Sequence, residues 1–333
     1  MTTLTSPIDL LAAVPFMIGF QPNDSLVLMG LRHESVEVAM RIDFPEIVDL
    51  DQIATLIDHL RHNSIDETLL VSYIPDSVTD ADVVIKALSE ALESAGFPLR
   101  ESLIVVAERW RSLMCSDLEC CPMEGQPLPT LDTTRIAAEQ IADGHPLPYR
   151  DESEMLRSLE PFGDDEELRS WITKCKEINY DDDPRSDQRQ GAEAIIDFIN
   201  DFSSDGICRD KRLVALVLVR LRDLQVRDFA LGSITDEKAN IYFDAYRWLM
   251  RTAPAGYVAP IASIFAALCY ERGDGAMAQR VLSRALADDE KYQLAILLKE
   301  LFALGKRPEI FREMRAELHP KVCDLIFSGS LAM

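Results

Sequence analysis

The chain has 333 residues, 47% of them hydrophobic, a length that allows two domains with a sizeable core in each. Its net charge of -23 and isoelectric point near 4.6 repel phosphate backbones and anionic lipids, which argues against nucleic acid or membrane partners. Seven cysteines, an odd number spread over a long chain, are typical of a reducing compartment, so we expect a cytoplasmic protein.

The first 130 residues alternate between segments typical of helices and of strands. Ser6 and Pro7 form a favourable helix start and predict a short helix over residues 8–14, ended before Pro15. Strands are predicted over residues 25–31, 36–44, 68–74, 101–108 and 110–115, and helices over residues 51–62 and 81–95. This order predicts an α/β domain over residues 1–130, with a mixed sheet and helices packed on at least one face.

Residues 131–165 are expected to be a connector, because two proline-rich segments bracket a single predicted helix over residues 133–143. Beyond it nearly every segment has helical periodicity, which predicts an all-α domain over residues 166–333. Its helices are predicted over residues 168–178, 190–202, 209–224, 235–251, 260–272, 274–287, 292–304 and 309–318. The pair over residues 260–287 is similar to a tetratricopeptide unit and must pack on its neighbours.

Residues 110–125 hold three of the seven cysteines, Cys115, Cys120 and Cys121, beside a Pro/Gly turn. Three thiolates can bind zinc if the chain turns at the adjacent pair, and His145 or Cys175 could supply a fourth ligand. Two other interpretations remain open, namely structural thiols in a tight loop and reactive or redox thiols. The chain has no phosphate loop, dinucleotide fingerprint, catalytic-triad signature or second cysteine pair at zinc-finger spacing.

A second candidate site is the turn over residues 19–25. Asp24 and Ser25 can present a carboxylate and a hydroxyl at the edge of the sheet, although a purely structural turn explains this Gly-, Pro- and Asn-containing segment as well. Arg109 and Arg111 flank Trp110 and form a candidate site for an anionic ligand. Side-chain alternation on an edge strand is the competing explanation.

Three separated motifs carry a resemblance to a known family. They are SPIDLLAAVPFMIGFQPNDSLVLMGL over residues 6–31, WRS with CCPMEG over residues 110–125, and APIAS with GDGA over residues 259–276. Together they resemble the actinobacterial domain-of-unknown-function family 4192 over nearly the whole chain. The departure is Glu290, where proline would be expected after the last helical pair. The resemblance implies a cytoplasmic actinobacterial protein with an N-terminal α/β domain and a helical C-terminal region, and it implies no activity.

The leading hypothesis is a non-catalytic regulatory or scaffold protein that binds a protein partner through an acidic helical half. Its α/β half would be a platform stabilised by a ligand or a metal. Residues 151–187 contain 13 carboxylates against 5 Lys/Arg, which indicates either a solvated face or a docking surface for a basic partner or a divalent cation.

The alternative hypothesis is an enzyme, or a metal- or small-ligand-binding protein, whose site joins the turn over residues 19–25 to residues 110–125. Asp24 or Glu124 would act as acid or base, Ser25 would lie beside them, and Cys121 would be a nucleophile or metal ligand. This hypothesis requires Asp24 and Cys121 to lie within about 10 Å of each other in one pocket.

Overall fold

A computed structural model describes residues 3–177, 184–305 and 308–327. The chain divides into two compact units, Met1–Met155 and Leu156–Met333. The helices and strands of the first unit are α1 (Pro7–Ile18), β1 (Ser25–Arg32), β2 (Ser35–Asp43), α2 (Leu50–His62), β3 (Glu67–Tyr73), α3 (Ala81–Ser94), β4 (Leu99–Val106), β5 (Arg109–Ser112), β6 (Gln126–Pro127) and α4 (Arg135–Ala142). A further helix, α5 (Glu152–Arg157), spans the boundary between the units.

The six strands form one mixed sheet in the order β2-β1-β3-β4-β5-β6. The pair β3–β4 is parallel and the other neighbouring pairs are antiparallel. A parallel pair needs a crossover connection, and α3 provides it between β3 and β4. The predicted mixed sheet is therefore confirmed, with its one parallel pair at the centre.

One face of the sheet packs against α2 and α3. Leu26, Leu28, Leu70 and Ile104 point to this face, because alternate residues of a strand share a side. On the opposite face Val27 and Val71 are also fully buried. Strands buried on both faces lose the alternation of polar and apolar residues, which explains the nearly continuous apolar runs of β1, β3 and β4.

The first helix is longer than its sequence predicts. Ser6 caps it as expected, since the Ser6 hydroxyl accepts the Asp9 backbone N–H at 3.2 Å. The predicted end before Pro15 is wrong, because the helix continues to Ile18, and the Pro15 carbonyl accepts the N–H of Gly19 at 2.9 Å. Proline inside a helix costs about 3 kcal/mol or more, and the burial of apolar residues along this helix outweighs that cost.

The second unit is helical throughout its described length. Its helices are α6 (Glu166–Glu177), α7 (Pro184–Asp205), α8 (Lys211–Arg220), α9 (Leu224–Gly232), α10 (Ala239–Thr252), α11 (Val258–Glu271), α12 (Gly275–Asp288), α13 (Gln293–Ala303) and α14 (Pro308–Phe327). Thirteen of the fourteen residues of α11 are buried, so α11 is its central helix. None of the described helices combines the length and the apolar character that crossing a membrane requires.

The helix predicted over residues 209–224 is present as α8, but it ends at Arg220, and the helix that follows, α9, is missing from the sequence prediction. Asp223 is the N-cap of α9. Its carboxylate accepts the backbone N–H groups of Gln225 at 2.8 Å and Val226 at 3.2 Å, which starts α9 in a new direction. The acidic run at residues 181–183 lies outside the described residues.

The negative charge is concentrated in the first unit. Residues 1–155 carry 27 Asp/Glu against 9 Lys/Arg, a net charge of -18, whereas residues 156–333 carry 30 against 25, a net charge of -5. The helical half is therefore only weakly acidic, because many of the carboxylates of residues 151–187 are balanced by cations elsewhere in that half. The strong electrostatic field belongs to the α/β unit.

Candidate functional site

The three cysteines lie in a loop, residues 113–125, which we call the cysteine loop. The strand predicted to run to Cys115 stops at Ser112. The Ser112 hydroxyl accepts the backbone N–H groups of Met114 at 3.0 Å and Cys115 at 3.2 Å, and donates to Glu101 at 2.7 Å. These bonds turn the chain away from the sheet, so the strand prediction is wrong for its last residues.

The far end of the cysteine loop is held by Arg109 and closed by the short strand β6. The Arg109 guanidinium donates to the carbonyl of Glu124 at 2.8 Å and to that of Gly125 at 2.6 Å. Gly125 has φ of 73°, and a Cβ at this position would lie 2.9 Å from the Trp110 carbonyl oxygen. Only glycine fits this close approach without strain.

The thiols of Cys115, Cys120 and Cys121 converge within the cysteine loop. Their sulfur atoms all lie within 4.8 Å of one another. Cys121 is buried, Cys115 is half-buried and Cys120 is exposed. The backbone N–H of Cys121 donates to the carbonyl of Asp117 at 2.7 Å, which makes the turn that two adjacent cysteines need to face one point. Hydrogen bonds in which the Cys120 thiol donates to Cys121 and Cys115, together with the repulsion between the thiolates, raise the pKa of Cys120 to about 11.

Neither predicted fourth ligand joins the three thiols. Among the described residues, no histidine, carboxylate or further cysteine belongs to the converging group. His145 is exposed, and its backbone N–H donates to the Gln140 carbonyl at 2.9 Å. Cys175 is buried on α6 in the helical unit, where burial raises the pKa of its thiol. The cysteine loop therefore offers three sulfur donors and an open side.

A cleft of about 570 Å³ opens at the carboxyl ends of the parallel strands β3 and β4. Ligands of α/β proteins commonly bind in this position, and the volume lies within the usual range for small-molecule sites. The residues that line it are Gln21, Pro22, Asn23, Asp24, Tyr73, Ile74, Pro75, Asp76, Ser77, Val105, Ala107, Glu108, Leu128, Arg150 and Asp151.

Two backbone arrangements bring distant segments of the first unit to this cleft. A parallel bridge joins Phe20 to Tyr149, and Gln21 donates its N–H to the Tyr149 carbonyl at 2.9 Å. This bridge sets Arg150 and Asp151 beside the turn over residues 19–25. On the other side, the two residues between β4 and β5 form a tight hairpin turn, with φ of 47° at Ala107 and 59° at Glu108.

The cleft lining is acidic. Asp24, Asp76, Glu108 and Asp151 face a single cation, Arg150. The Arg150 side chain is 83% exposed and pairs with Glu154 at 3.4 Å, so it belongs to the rim. Among the described residues that line the cleft there is no cysteine, histidine or lysine, side chains that often supply a nucleophile or a base at neutral pH.

Tyr73 lines the cleft and carries a buried hydroxyl without a hydrogen-bond partner among the described residues. The residue is 4% exposed. Burial raises the pKa of Tyr73, so the hydroxyl remains protonated. The pairing register places Tyr73 between Ser25 and Val105, and Val105 beside Trp110. The Ser25 hydroxyl and the Trp110 indole N–H are also buried without partners in this row.

The predicted site residues divide between the cleft and the cysteine loop. Asp24 lines the cleft, with Ser25 buried directly behind it, whereas Cys121 and Glu124 belong to the cysteine loop. β1 and β5 are separated by β3 and β4, a span of about 14 Å at about 4.8 Å for each neighbouring pair. The residues that line the cleft include Asp24 and do not include Cys121 or Glu124, which the alternative hypothesis placed in the same pocket.

The candidate anion-binding residues divide between the two faces of the sheet, with Arg109 and Arg111 on one side and Trp110 on the other. In the strand register Trp110 pairs with Val105 and Arg111 pairs with Ile104, so their side chains leave opposite faces of the sheet. Arg109 is engaged by the carbonyls of the cysteine loop. The sequence reasoning missed Tyr73, although a tyrosine that closes a buried strand next to proline could have indicated a strand end facing a cleft.

Comparison with known proteins identifies the family of the chain. A family model described as "Domain of unknown function (DUF4192)" matches residues 7–309 of the 333 residues, nearly the whole chain. No curated protein matches the chain, and no solved structure matches it. The resemblance that the three sequence motifs carry is thereby confirmed. The chain belongs to the DUF4192 family, a family defined by a domain of unknown function.

Proposed function

We propose that this protein is a non-catalytic regulatory protein whose α/β unit binds a small organic cation in the cleft at the ends of β3 and β4. The observation that carries this proposal is a cleft of about 570 Å³ lined by four carboxylates and by Tyr73, a residue whose buried hydroxyl has no partner among the described residues. An unsatisfied buried hydroxyl costs about 1–3 kcal/mol, and a ligand atom that bonds to it would recover that cost.

The charge of the cleft favours a cation. Four carboxylates line it against one rim arginine, within a unit whose net charge is -18. A cleft lined by one sign of charge concentrates counter-ions and steers them inward. The Tyr73 hydroxyl can accept a hydrogen bond from an ammonium group, while the carboxylates of Asp24, Asp76 and Glu108 supply the opposite charge.

The spacing of the carboxylates favours an organic cation over a single metal ion. Among the described residues, the thiols of the cysteine loop are the one group of three or more side chains that converges closely enough to hold a metal. The carboxylates of the cleft are therefore spread over its lining. A ligand with two or more separated amino groups, such as a diamine or polyamine, matches that spread.

The test is calorimetric titration of the full chain with spermidine, and with 1,4-butanediol as an uncharged control. We expect saturable binding of spermidine alone. Tyr73→Phe should weaken it about 10–100-fold, because a hydrogen bond to a charged group contributes about 1.5–3 kcal/mol. Asp76→Asn should weaken it several-fold, and Asp132→Asn, an exposed carboxylate outside the cleft, should leave it unchanged.

The melting temperature separates a ligand role of Tyr73 from a structural one. If the hydroxyl serves a ligand, Tyr73→Phe retains or raises the melting temperature of the free protein, because no bond within the protein is lost. Equal spermidine affinity of the wild type and both cleft variants would refute the cleft as the binding site. So would a lowered melting temperature of Tyr73→Phe with unchanged affinity.

A second candidate function, binding of a protein partner, is favoured by an apolar stripe on α14. Ile310, Met314 and Leu318 are 45%, 41% and 47% exposed and recur every four residues, on one side of that helix. We propose that a partner helix with apolar residues and basic flanks docks there, beside the exposed carboxylates of Glu313 and Glu317. The tetratricopeptide-like pair, α11 and α12, would support this surface in a cytoplasmic protein.

This docking is tested by capture from native lysate with matched variants. We expect a captured protein to be lost with Met314→Glu and retained with Ile196→Glu, which changes an exposed apolar residue on α7. Equal capture by both variants would contradict the proposed surface.

A further inference from the structure

We propose that Cys115, Cys120 and Cys121 form a zinc site with three protein ligands, separate from the cleft. The sulfur atoms lie within 4.8 Å of one another. Zinc–sulfur bonds of about 2.3 Å in tetrahedral geometry place the sulfur atoms of a site about 3.8 Å apart. The three thiols therefore need to move together by about 1 Å at most, which side-chain rotation alone provides.

The donor set favours zinc over the other common divalent cations. Calcium and magnesium require oxygen ligands, and no carboxylate of the described residues belongs to the group. Thiolates are soft ligands that select zinc and copper(I). Three protein ligands with an open fourth position leave room for a water molecule on the exposed side, where Cys120 lies.

The exposure of the side chains in the cysteine loop indicates a structural role for this ion. The large apolar side chains of the cysteine loop point outward, with Leu118 63% exposed and Met123 68% exposed. The loop therefore buries little apolar surface of its own, and Cys121 is its one buried apolar residue before Gly125. A segment that cannot build a core can be fixed by a metal instead.

Zinc binding to the three thiols requires no reactant beyond the ion and water. Three thiol protons are released as one zinc ion binds three thiolates, and one water molecule completes the coordination. All seven cysteines are free thiols, so no disulfide has to be reduced first. No other reactant is required.

The experiment measures zinc in the full-length protein after reconstitution with zinc chloride and removal of free metal. Inductively coupled plasma mass spectrometry should find one zinc per chain in the wild type. Cys121→Ser and Cys120→Ser should each lower this at least tenfold. Cys323→Ser is the matched control, because this cysteine lies half-buried in the helical unit outside the group, and its zinc content should equal that of the wild type.

Two further measurements keep the result interpretable. Cys120 is exposed, so Cys120→Ser should fold normally even if replacement of the buried Cys121 disturbs the cysteine loop. Cobalt(II) in place of zinc should give thiolate-to-metal charge-transfer absorption in the wild type and not in Cys120→Ser. A wild type that takes up no zinc, or a Cys120→Ser variant that retains all of it, would overturn the site. Spermidine binding to the cleft is measured separately, so either proposal can fail alone.

Discussion

Replacement of Glu271 by Gln should destabilise the helical unit strongly. Glu271 ends α11 and is 8% exposed, and Arg315 of α14 is 7% exposed. The Arg315 guanidinium donates to both carboxylate oxygens of Glu271, with its Nε at 2.9 Å and 3.1 Å and its Nη2 at 2.9 Å. It also donates to the carbonyl of Ile234. The substitution leaves a buried guanidinium without its bidentate partner.

The expected loss follows from the burial and from the charges that remain. Removing one partner of a buried ion pair costs about 3–5 kcal/mol, because the other charge stays desolvated. Asp236 keeps a carboxylate 4.0 Å from Arg315, but Asp236 is 78% exposed and screened by solvent. We therefore expect a loss of about 3 kcal/mol, near the lower end of that range. For a unit of this size, this corresponds to a melting temperature lowered by about 6–12 °C.

The assay is urea unfolding followed by circular dichroism, together with a double-mutant cycle. The single variants Arg315→Met and Glu271→Leu should each cost at least as much as Glu271→Gln, and the double variant Glu271→Leu with Arg315→Met should recover most of the loss, because no unpaired charge remains. Glu90→Gln is the matched surface control, since its pair with Lys86 is exposed and contributes less than about 1 kcal/mol. Additive costs in the double mutant, or a single-variant cost below about 1 kcal/mol, would refute the reasoning.

Three further substitutions test local features. Burial raises the pKa of Asp274 from 3.8 to about 6. The contribution of the protonated carboxyl group to stability is therefore lost as pH rises from 3.8 through 6. Asp274→Asn should raise the free energy of unfolding at pH 7.5 by up to about 3 kcal/mol, and this gain should shrink in unfolding curves measured at pH 5.5. The Asp288 carboxylate accepts the backbone N–H groups of Gly256 at 2.6 Å and Val258 at 2.9 Å, so Asp288→Ala should cost about 1–2 kcal/mol, seen as a melting temperature lowered by about 2–8 °C. Gly125→Ala should cost about 1–2 kcal/mol through its positive φ and should make the cysteine loop more sensitive to limited proteolysis.

Much of the α/β unit could be predicted from the sequence, because apolar runs of β-branched residues mark buried strands and amphipathic periodicity marks helices. The first five strands and α2 and α3 lie where these patterns indicate. The misses have local causes that patterns do not contain. The hairpin turn at Ala107 and Glu108 has positive φ at both residues without the usual glycine or asparagine. The break at Asp223 depends on a cap that interrupts an apolar run.

The two candidate features differ in how far the sequence can reveal them. The thiols of the cysteine loop lie within seven consecutive residues, so the sequence shows that they can converge, and only the turn at the adjacent pair has to come from the structure. The cleft combines Asp24, Tyr73, Glu108 and Asp151, whose separations along the chain are set by whole strands and helices. Such a group forms only through the parallel register of β3 and β4 and the bridge between Phe20 and Tyr149. No local pattern encodes either of these pairings.

The cleft and the cysteine loop are connected through neighbouring residues of β5 and β6, and this limits how much zinc binding can change ligand affinity in the cleft. Glu108 and Leu128 line the cleft and are joined by a backbone hydrogen bond of 2.8 Å, while the neighbouring Arg109 holds the end of the cysteine loop. Zinc bound to three thiolates adds one negative charge to the cysteine loop, and spermidine carries about three positive charges. Across the strand span of about 14 Å in water these charges interact by about 0.9 kcal/mol, a four- to fivefold change in affinity. Spermidine titrations with and without zinc should therefore agree within about fivefold if the coupling is electrostatic. A larger difference would have to be transmitted through the β5–β6 pair, and Gly125→Ala should then change it.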